Sequence, residues 1–244
     1  MRLSPFNGRY QVKAIVLHSI KYSDTARVVR LFTQDFGLRA YLVRGFGNKK
    51  GTKTALYQSF SLLEITVQEK RRGELHVLKE ERRAYAFQDL PFHPIKGAVA
   101  IFLAELLERS IAEDQEHKGL FEFAWSSIQV LDLQDRFGLF PLHFISNIIF
   151  FLGLMPEGPK GNEHWLDLVT GNWELFQPGH KEVLDRALGA AFVNAASGTE
   201  TLEPFLKSGN ERKELLLAQV RFLQLHVAGK RDLKSLPILQ ELFS

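Results

Sequence analysis

The sequence predicts an α+β protein in which a small five-stranded β-barrel precedes an α-helical domain. The first third of the chain alternates apolar and polar residues with a period of two, as half-buried strands do. Beyond Ala84 the apolar residues recur with the period of a helix. A stretch rich in glycine and proline, residues 155–180, interrupts the helices. We therefore expect a barrel domain over residues 1–83 and a helical domain over residues 84–244.

Five segments of the first third have the character of strands. They are rich in β-branched and aromatic residues, and glycine-containing turns such as QDFG and RRGE separate some of them. So many short strands in a row are typical of a small closed or partly open barrel. The five segments are YQVKAIVLHSI, ARVVRLFT, LRAYLVRG, YQSFSLLEITVQEK and LHVLKE.

The rest of the chain predicts five or six helices. The first begins near Pro94, a residue that suits a first helical turn, and its apolar residues from Ile95 to Leu107 lie at helical spacing. Within the insertion, WLDLVTGNWELF indicates a hairpin whose turn is Thr170, Gly171 and Asn172. Further helices are expected at about 119–134, 140–153, 180–196 and 210–228, with a short one near 235–243.

The positive charge of the chain is concentrated in its first third. The formal net charge is +3, but residues 1–83 hold 17 lysines and arginines against 7 acidic residues, whereas residues 84–244 hold 14 against 21. Clustered cations gain affinity for nucleic acids by releasing counterions from the phosphates. The asymmetry predicts a polyanion-binding module joined to a second domain; a solvated charged surface is the alternative.

The most basic stretch, RGFGNKKGTKT at residues 44–54, does not match a nucleotide-binding loop. A P-loop needs G-x-x-x-x-G-K-[ST], yet Lys50 or Thr52 stands where the second glycine should be. The dinucleotide pattern G-x-G-x-x-G fails because Lys50 takes the place of its third glycine. Contact with a nucleic-acid backbone and a merely solvated loop remain as interpretations.

No catalytic motif is present. The chain has no cysteine, which excludes disulfides, thiol nucleophiles and cysteine-ligated zinc. The nucleophile elbow, the H-E-x-x-H motif and the kinase signatures are absent. His164, Asp167 and His180 could share a metal, but their irregular spacing favours solvated or hydrogen-bonded histidines. We predict a protein that is not an enzyme and that needs neither cofactor nor metal.

Two further stretches have ordinary interpretations. The acidic segment ERSIAEDQEHK is expected to form the exposed end of a helix and the loop that follows it. The apolar stretch Leu139–Met155 is too short for a membrane span, and the N-terminus lacks the apolar region of a secretory signal. We expect a cytosolic protein with no membrane partner.

Five segments, taken in order, resemble the RecO family of bacterial recombination mediators. The match is strongest over Leu17–Ile65, and the resemblance covers nearly the whole chain. It implies an N-terminal OB-fold barrel followed by a helical domain. The segments are LHSIKYSDTARVVRLFTQDFG, RGFGNKKGTKTALYQSFSLLEI, FLAELLER, FLGLMP and HVAGKRDLKSLPILQEL.

The resemblance also implies a function. It implies binding of single- and double-stranded DNA and annealing of complementary strands. It further implies action with RecR to load RecA onto strands coated by the single-strand binding protein SSB, in the bacterial cytoplasm and in association with the nucleoid. Two alternatives stay open: a metal-dependent nucleic-acid-processing enzyme, and an RNA-binding OB module with a helical adaptor.

The chain departs from the family in its insertion. Many RecO proteins carry four cysteines in a zinc site after a segment like LGLMP, and residues 155–180 occupy that place without any cysteine. We expect a zinc-less insertion. Its local core is predicted to be an apolar set in place of the metal: Trp165, Leu168, Trp173 and Phe176.

Charge and resemblance together select the DNA-contacting residues. Phe46 is a stacking candidate, and Tyr41 either stacks or belongs to the barrel core. The predicted cations on and after the third strand are Arg39, Arg44, Lys49, Lys50 and Lys53. A second group in the next hairpin turn either extends this track or keeps the turn soluble: Lys70, Arg71 and Arg72.

The helical domain is expected to bind the acidic, phenylalanine-ended tail of SSB, as the resemblance implies. An apolar pocket would take the aromatic ring, and nearby cations would take the carboxylates. A solvated helix end is the alternative for the first three of these residues: Lys230, Arg231, Lys234 and the weaker candidate His143.

Overall fold

The computed structural model describes residues 9–46, 52–68, 76–202, 204–227 and 233–238. The chain divides into two compact units, residues 1–133 and 134–244. None of the helices among these described residues has both the length and the apolar character needed to cross a membrane.

The first unit contains a closed five-stranded barrel with the strand order β1-β2-β3-β5-β4. Strands β3 and β5 pair in parallel, and the other neighbours are antiparallel. This order is that of an OB-fold, so the predicted fold class is confirmed. The elements are β1 (Arg9–Lys21), β2 (Ala26–Thr33), β3 (Gly37–Arg44), α1 (Thr52–Leu56), β4 (Leu62–Gln68) and β5 (His76–Arg83).

Alternate residues of each strand fill the barrel. Tyr41 is fully buried among them, so the structure assigns it to the core rather than to base stacking. In β1 the alternation shifts at a bulge between Val16 and His18, which re-aims the end of that strand. The inward residues are Val12, Ala14, Val16, Val29, Leu31, Tyr41, Val43, Leu63, Ile65, Val67 and Leu78.

Besides α1, two longer helices belong to the same compact unit as the barrel: α2 (Pro94–Ser110) and α3 (Lys118–Leu133). Phe32 on the outer face of β2 packs edge-to-face on Phe121 of α3, with ring centroids 5.4 Å apart. The division between the compact units therefore follows α3, whereas the change from strands to helices occurs after β5. The predicted domain division at 83/84 differs from the division between the compact units and stays a prediction.

The segment between β5 and α2 is attached to α3 by one buried carboxylate. Asp132 accepts hydrogen bonds from the backbone N–H groups of Gln88, Asp89 and Leu90 at 2.9, 2.9 and 2.7 Å. The buried ammonium of Lys96 donates to the Asp132 carbonyl at 2.9 Å. This network satisfies backbone groups that would otherwise be buried without partners.

In the described residues, the second unit combines three longer α-helices and a 3-10 helix (Thr199–Thr201) with a small sheet of strand order β7-β6-β8. The start of the last helix is explained by a capping box, in which the Ser208 hydroxyl accepts from the Glu211 N–H and the Glu211 side chain accepts from the Ser208 N–H. The elements are α4 (Phe140–Phe151), β6 (Trp165–Asp167), β7 (Trp173–Glu174), β8 (Val183–Asp185), α5 (Arg186–Asn194) and α6 (Gly209–His226).

The predicted hairpin is present, and two predictions about its surroundings are wrong. Residues Val183–Asp185 pair with β6 as a third strand, so the helix expected from 180 begins only at Arg186, after Asp185 caps it. Phe176 is 84% exposed and takes no part in the local core. The buried strand residues there are Leu166 and Leu184, which the sequence prediction missed.

The sheet packs very closely on α5. A Cβ placed on Gly189 would lie 2.6 Å from the Cη2 atom of Trp173 and 3.1 Å from the Cβ atom of Leu166. Only a residue without a side chain fits between the helix and the indole ring. Because residue 189 is a glycine, the Trp173 ring can pack directly on α5. Trp173 therefore belongs to the core of the insertion, as the sequence predicted.

Candidate nucleic-acid interface

Two cations meet one aromatic ring at the end of the barrel where β3 leads into α1, and a third cation, Arg44, ends β3 there. The guanidinium of Arg27 lies 5.2 Å from the ring centroid of Phe46, and the ammonium of Lys53 lies 5.7 Å from it. Phe46 is partly buried and packs on Tyr57, with ring centroids 5.6 Å apart. Arg44 ends β3 beside them and is exposed. We call Arg27, Arg44, Phe46 and Lys53 the barrel-end cluster.

The backbone fixes the position of this cluster. The N–H groups of Gly45 and Phe46 both donate to the Thr25 carbonyl, at 2.8 and 3.1 Å. These bonds hold the start of the basic loop against the turn between β1 and β2. Because Phe46 is engaged by two cations and packs on Tyr57, its ring holds the cations in place and is less available to an incoming base than the sequence suggested.

One carboxylate moderates the charge of the cluster. Glu81 of β5 accepts from the Lys53 ammonium at 2.6 Å. Burial and the nearby Glu81 carboxylate raise the pKa of the Tyr57 phenol, so it stays protonated. Arg44 has no ion-pair partner among the described residues. The cluster therefore keeps an excess of positive charge, which suits a polyanion.

The opposite end of β3 is different, because an acidic turn covers it. This turn, residues 113–116, follows α2 and forms a parallel bridge between Glu113 and Leu38. The Nε atom of Arg39 donates to Asp114 at 2.6 Å, and its guanidinium lies 4.8 Å from the Phe36 ring centroid. Arg39, a predicted DNA contact, is thus held in an ion pair within the first unit.

The acidic turn also neutralises Arg30 on β2. Arg30 donates to Glu108 at 3.0 Å and forms a second, close ion pair with Glu113. The turn approaches so closely that a Cβ on Gly37, where φ is +64°, would lie 2.0 Å from the Gln115 carbonyl oxygen. The acidic stretch, which the sequence predicted as the exposed end of a helix and the loop that follows it, also forms ion pairs with two cations of the barrel.

The predicted DNA-contacting residues fall into three groups. Phe46 and Lys53 are in contact in the barrel-end cluster and Arg44 ends β3 there, whereas Arg39 lies at the acidic turn. The remaining predicted cations lie outside the described residues: Lys49, Lys50, Lys70, Arg71 and Arg72.

Sequence reasoning missed Arg27 as a partner of Phe46. The register of β2 and β3 places Arg27 opposite Val43, at the strand end that leads to Phe46. The only sequence signal for Arg27 is a cation next to the first residue of ARVVRLFT. This signal becomes informative only once the pairing of β2 with β3 is known.

The residues predicted to bind an SSB tail lie in the second unit. His143 of α4 donates from Nδ1 to the Ala195 carbonyl at 2.8 Å, and it is half-buried. Lys234 is exposed between two buried residues, Leu233 and Ser235. Lys230 and Arg231 lie outside the described residues.

The insertion shows no metal site in the described part of the chain, where no group of three or more metal-ligating side chains is assembled. The Nε2 atom of His180 lies 3.4 Å from an Asp167 oxygen, so two of the three residues considered for a shared metal approach each other. Asp167 also accepts from the backbone N–H of Val169 at 2.7 Å. The hydrogen bond from Val169 stabilises the turn of the hairpin.

The strand order of the barrel, its cationic end and the helical second unit define an OB-fold protein with an appended helical region. Residues 7–85 match the family model described as recombination protein O N terminal, and residues 92–160 match recombination protein O C terminal. The chain belongs to the RecO family.

Relatives of known name are similar over nearly their whole length. The DNA repair protein RecO of Phocaeicola vulgatus is 34% identical over 235 residues, which cover 94% of this chain and 97% of the relative. The protein of the same name from Christiangramia forsetii is 30% identical over 240 residues, covering 95% and 98%. That of Azobacteroides pseudotrichonymphae is 32% identical over 243 residues, covering 96% and 99%.

Proposed function

We propose that this protein is a non-enzymatic DNA recombination and repair mediator. It binds single- and double-stranded DNA and anneals complementary strands in the bacterial cytoplasm, in association with the nucleoid. With RecR it helps to load RecA onto single strands coated by SSB. The observation that carries the proposal is the barrel-end cluster on the OB-fold of a RecO family member.

The chemistry of the cluster suits annealing. Arginine and lysine neutralise phosphates without reading base edges, so the edges of two bound strands stay free to pair. We assign the phosphate contacts to Arg27, Arg44 and Lys53, together with Lys49 and Lys50 of the basic loop. Lys70, Arg71 and Arg72 extend the same track. Arg39 stays in its ion pair with Asp114 and contributes little.

The second unit provides the protein contact. An acidic tail that ends in phenylalanine needs cations for its carboxylates and an apolar site for its ring. Lys234, exposed in a segment that is anchored by buried neighbours, is the best placed cation among the described residues. Lys230 and Arg231 complete the basic group, and His143 has a smaller role because Ala195 engages its ring.

The proposal is tested by annealing complementary oligonucleotides coated with the cognate SSB. We expect annealing without added metal, insensitive to a chelator, and slower when SSB lacks its last few residues. An excess of RNA should compete less well than DNA. Strand cleavage that depends on a divalent metal would point instead to an enzyme, and stronger competition by RNA would point to an RNA-binding module.

A further inference from the structure

The acidic turn lies against an open edge of β3. Among the described residues, β3 pairs with β5 only through Tyr41 and Leu42, so one edge of its first residues has no neighbouring strand. The acidic turn takes this place. Glu113 forms a parallel bridge with Leu38, and the Asp114 N–H donates to the Leu38 carbonyl at 3.1 Å. The backbone of β3 itself therefore positions the turn.

The carboxylates of the acidic turn pair with two arginines of the barrel. Asp114 accepts from Arg39 of β3 at 2.6 Å. Glu113 forms a close ion pair with Arg30 of β2, whose Nε atom also donates to Glu108 of α2 at 3.0 Å. Both arginine side chains are only 18% exposed in this arrangement. The turn thus withholds two barrel arginines from a ligand in solution.

The turn itself lies at the surface. Its four residues are exposed, and the side chains of Glu113 and Asp114 keep 62% and 47% of their accessible surface. Asp114 has a positive φ of 59°, which is uncommon for a residue with a side chain. Ion pairs between exposed groups are weak and are screened by salt. A competing anion can therefore displace these carboxylates without unfolding the barrel.

A phosphate group competes for the same hydrogen-bond donors. Guanidinium groups form charge-assisted hydrogen bonds with carboxylates and with phosphates alike. Arg39 lies on the same strand as Arg44 of the barrel-end cluster, five residues and therefore about 17 Å away. A DNA duplex is stiff and carries one negative charge for about every 1.7 Å of its axis. A duplex bound at the cluster therefore brings phosphates towards the acidic turn, whereas a flexible single strand can follow the cluster alone.

We propose that the acidic turn is an autoinhibitory contact, whose carboxylates occupy Arg30 and Arg39 in place of phosphates and so lower the affinity for duplex DNA. This inference rests on the proposed DNA-binding function. Annealing converts two single strands into a duplex, and a protein that bound duplex tightly would retain its product. Because two arginines stay paired within the chain, the annealed duplex can leave and the protein can act on further strands.

The test compares the full-length chain with two double variants of equal charge. Glu113→Gln/Asp114→Asn removes the carboxylates of the turn, and asparagine tolerates the positive φ at this position. Glu116→Gln/Glu122→Gln is the matched control, because it removes the same charge from two exposed acids of the same unit that have other partners. Fluorescence anisotropy over a series of salt concentrations measures duplex binding.

We expect Glu113→Gln/Asp114→Asn to bind a duplex about eightfold more tightly at about 0.1 M salt. The slope of log affinity against log salt concentration should increase by about 0.9, because Arg39 gains a phosphate contact while Glu108 still pairs with Arg30. Adding Glu108→Gln should bring the increase to about 1.8, because it releases Arg30 as well. The matched control should bind the duplex as the parent protein does.

Annealing tests the consequence for product release. With complementary strands in excess over protein, annealing by Glu113→Gln/Asp114→Asn should begin at the parent rate and then slow, because the duplex stays bound. The parent protein and the matched control should keep their initial rate for longer. If the double variant does not fold by circular dichroism, Asp114→Asn alone provides the same comparison.

Three results would overturn the proposal. The first is an unchanged duplex affinity of the folded turn variant, and the second is equal tightening by the matched control, which would reflect net charge alone. The third is tighter duplex binding without the later slowing of annealing, since product release would then not depend on the turn. Failure of the parent protein to bind either single strands or duplex would instead remove the proposed function itself.

Discussion

The guanidinium of Arg39 is bound to the carboxylate of Asp114, with 2.6 Å between Nε and Oδ1, although 75 residues separate the two in the chain. Together with the pairing of Arg30 by Glu108 and Glu113, this bond divides the barrel surface electrostatically. The end near the acidic turn is neutralised. Among the described residues, the end with Arg27, Arg44 and Lys53 keeps an excess of positive charge, and we propose that it contacts the phosphates.

This division predicts different effects for two arginines of the same strand. Arg44→Ala should weaken binding of oligo-dT and lower the slope of log affinity against log salt concentration by about 0.7, the loss of one phosphate contact. Arg39→Ala should leave the slope unchanged and cost at most about 1 kcal/mol of stability, as for a partly exposed ion pair. Fluorescence anisotropy over a series of salt concentrations measures both slopes. An equal drop in slope for the two variants would contradict the division.

Releasing Arg39 should have the opposite effect. Asp114 has a positive φ of 59°, which asparagine tolerates well, so Asp114→Asn removes the charge and keeps the backbone. We expect the salt slope for oligo-dT to increase by about 0.7, because Arg39 becomes able to contact a phosphate.

Two comparisons control the Asp114→Asn experiment. Glu116→Gln alters a neighbouring acid that pairs with Lys118 rather than with the barrel, and it should change nothing. Adding Arg39→Ala to Asp114→Asn should return the slope to its original value. An increase that persists in this double variant would show that the effect does not act through Arg39.

Asp132 should make the first unit sensitive to acid. Burial raises the pKa of this carboxyl, but the hydrogen bonds it accepts outweigh burial and hold the pKa below its ordinary value of 3.8. Its contribution to stability is therefore present above about pH 4 and is lost as the pH falls through the lowered folded-state pKa. At pH 7, Asp132→Asn should cost about 2 kcal/mol, because it leaves buried N–H groups without acceptors.

Hydrogen exchange measures this effect locally. The amides of Gln88, Asp89 and Leu90 should exchange faster in Asp132→Asn at pH 7, and the difference in stability from the parent protein should narrow below pH 3.8. Asp24→Asn, at an exposed ion pair with Lys21, is the control and should have little effect. Unchanged protection of the three amides in Asp132→Asn would show that other contacts hold this segment.

The close contact between α5 and the small sheet predicts a further variant. Gly189→Ala would force its Cβ against the Trp173 ring and should destabilise the second unit by about 1–3 kcal/mol. Gly138→Ala is the control, since nothing lies within 4 Å of a Cβ at that position. Thermal unfolding followed by tryptophan fluorescence measures both. Equal melting temperatures would mean that the indole ring moves aside at no cost.

Local patterns in the sequence predicted most of the fold, and contacts between distant residues account for what they missed. The barrel follows from the two-residue alternation of its strands, and the hairpin follows from the glycine of its turn, Gly171. Strand β8 spans only three residues, too few for a pattern, and it exists because β6 pairs with it. The sequence alone did not reveal that Asp114 would form an ion pair with Arg39, or that the Arg27 guanidinium would contact the Phe46 ring.

Three of the predicted DNA-contacting residues, Arg44, Phe46 and Lys53, lie at one end of the barrel, and their contact with DNA stays a prediction. Residue type and loop position were enough for that, because cations beside a glycine-rich connection stay near the strand end. They were not enough to predict which of the cations stay available to DNA, because this depends on which carboxylates form ion pairs with them. Glu81 and Asp114 are the carboxylates that decide it.

The most direct test of the central claim is the salt dependence of annealing by the variant Arg27→Ala/Arg44→Ala/Lys53→Ala. Complementary oligonucleotides without SSB are followed by fluorescence energy transfer, and circular dichroism checks the fold. We expect annealing to slow by at least about tenfold and the slope of oligo-dT binding to fall by about 2, which corresponds to three lost phosphate contacts. A folded variant that anneals at the parent rate with the parent slope would contradict the assignment of DNA binding to this end of the barrel.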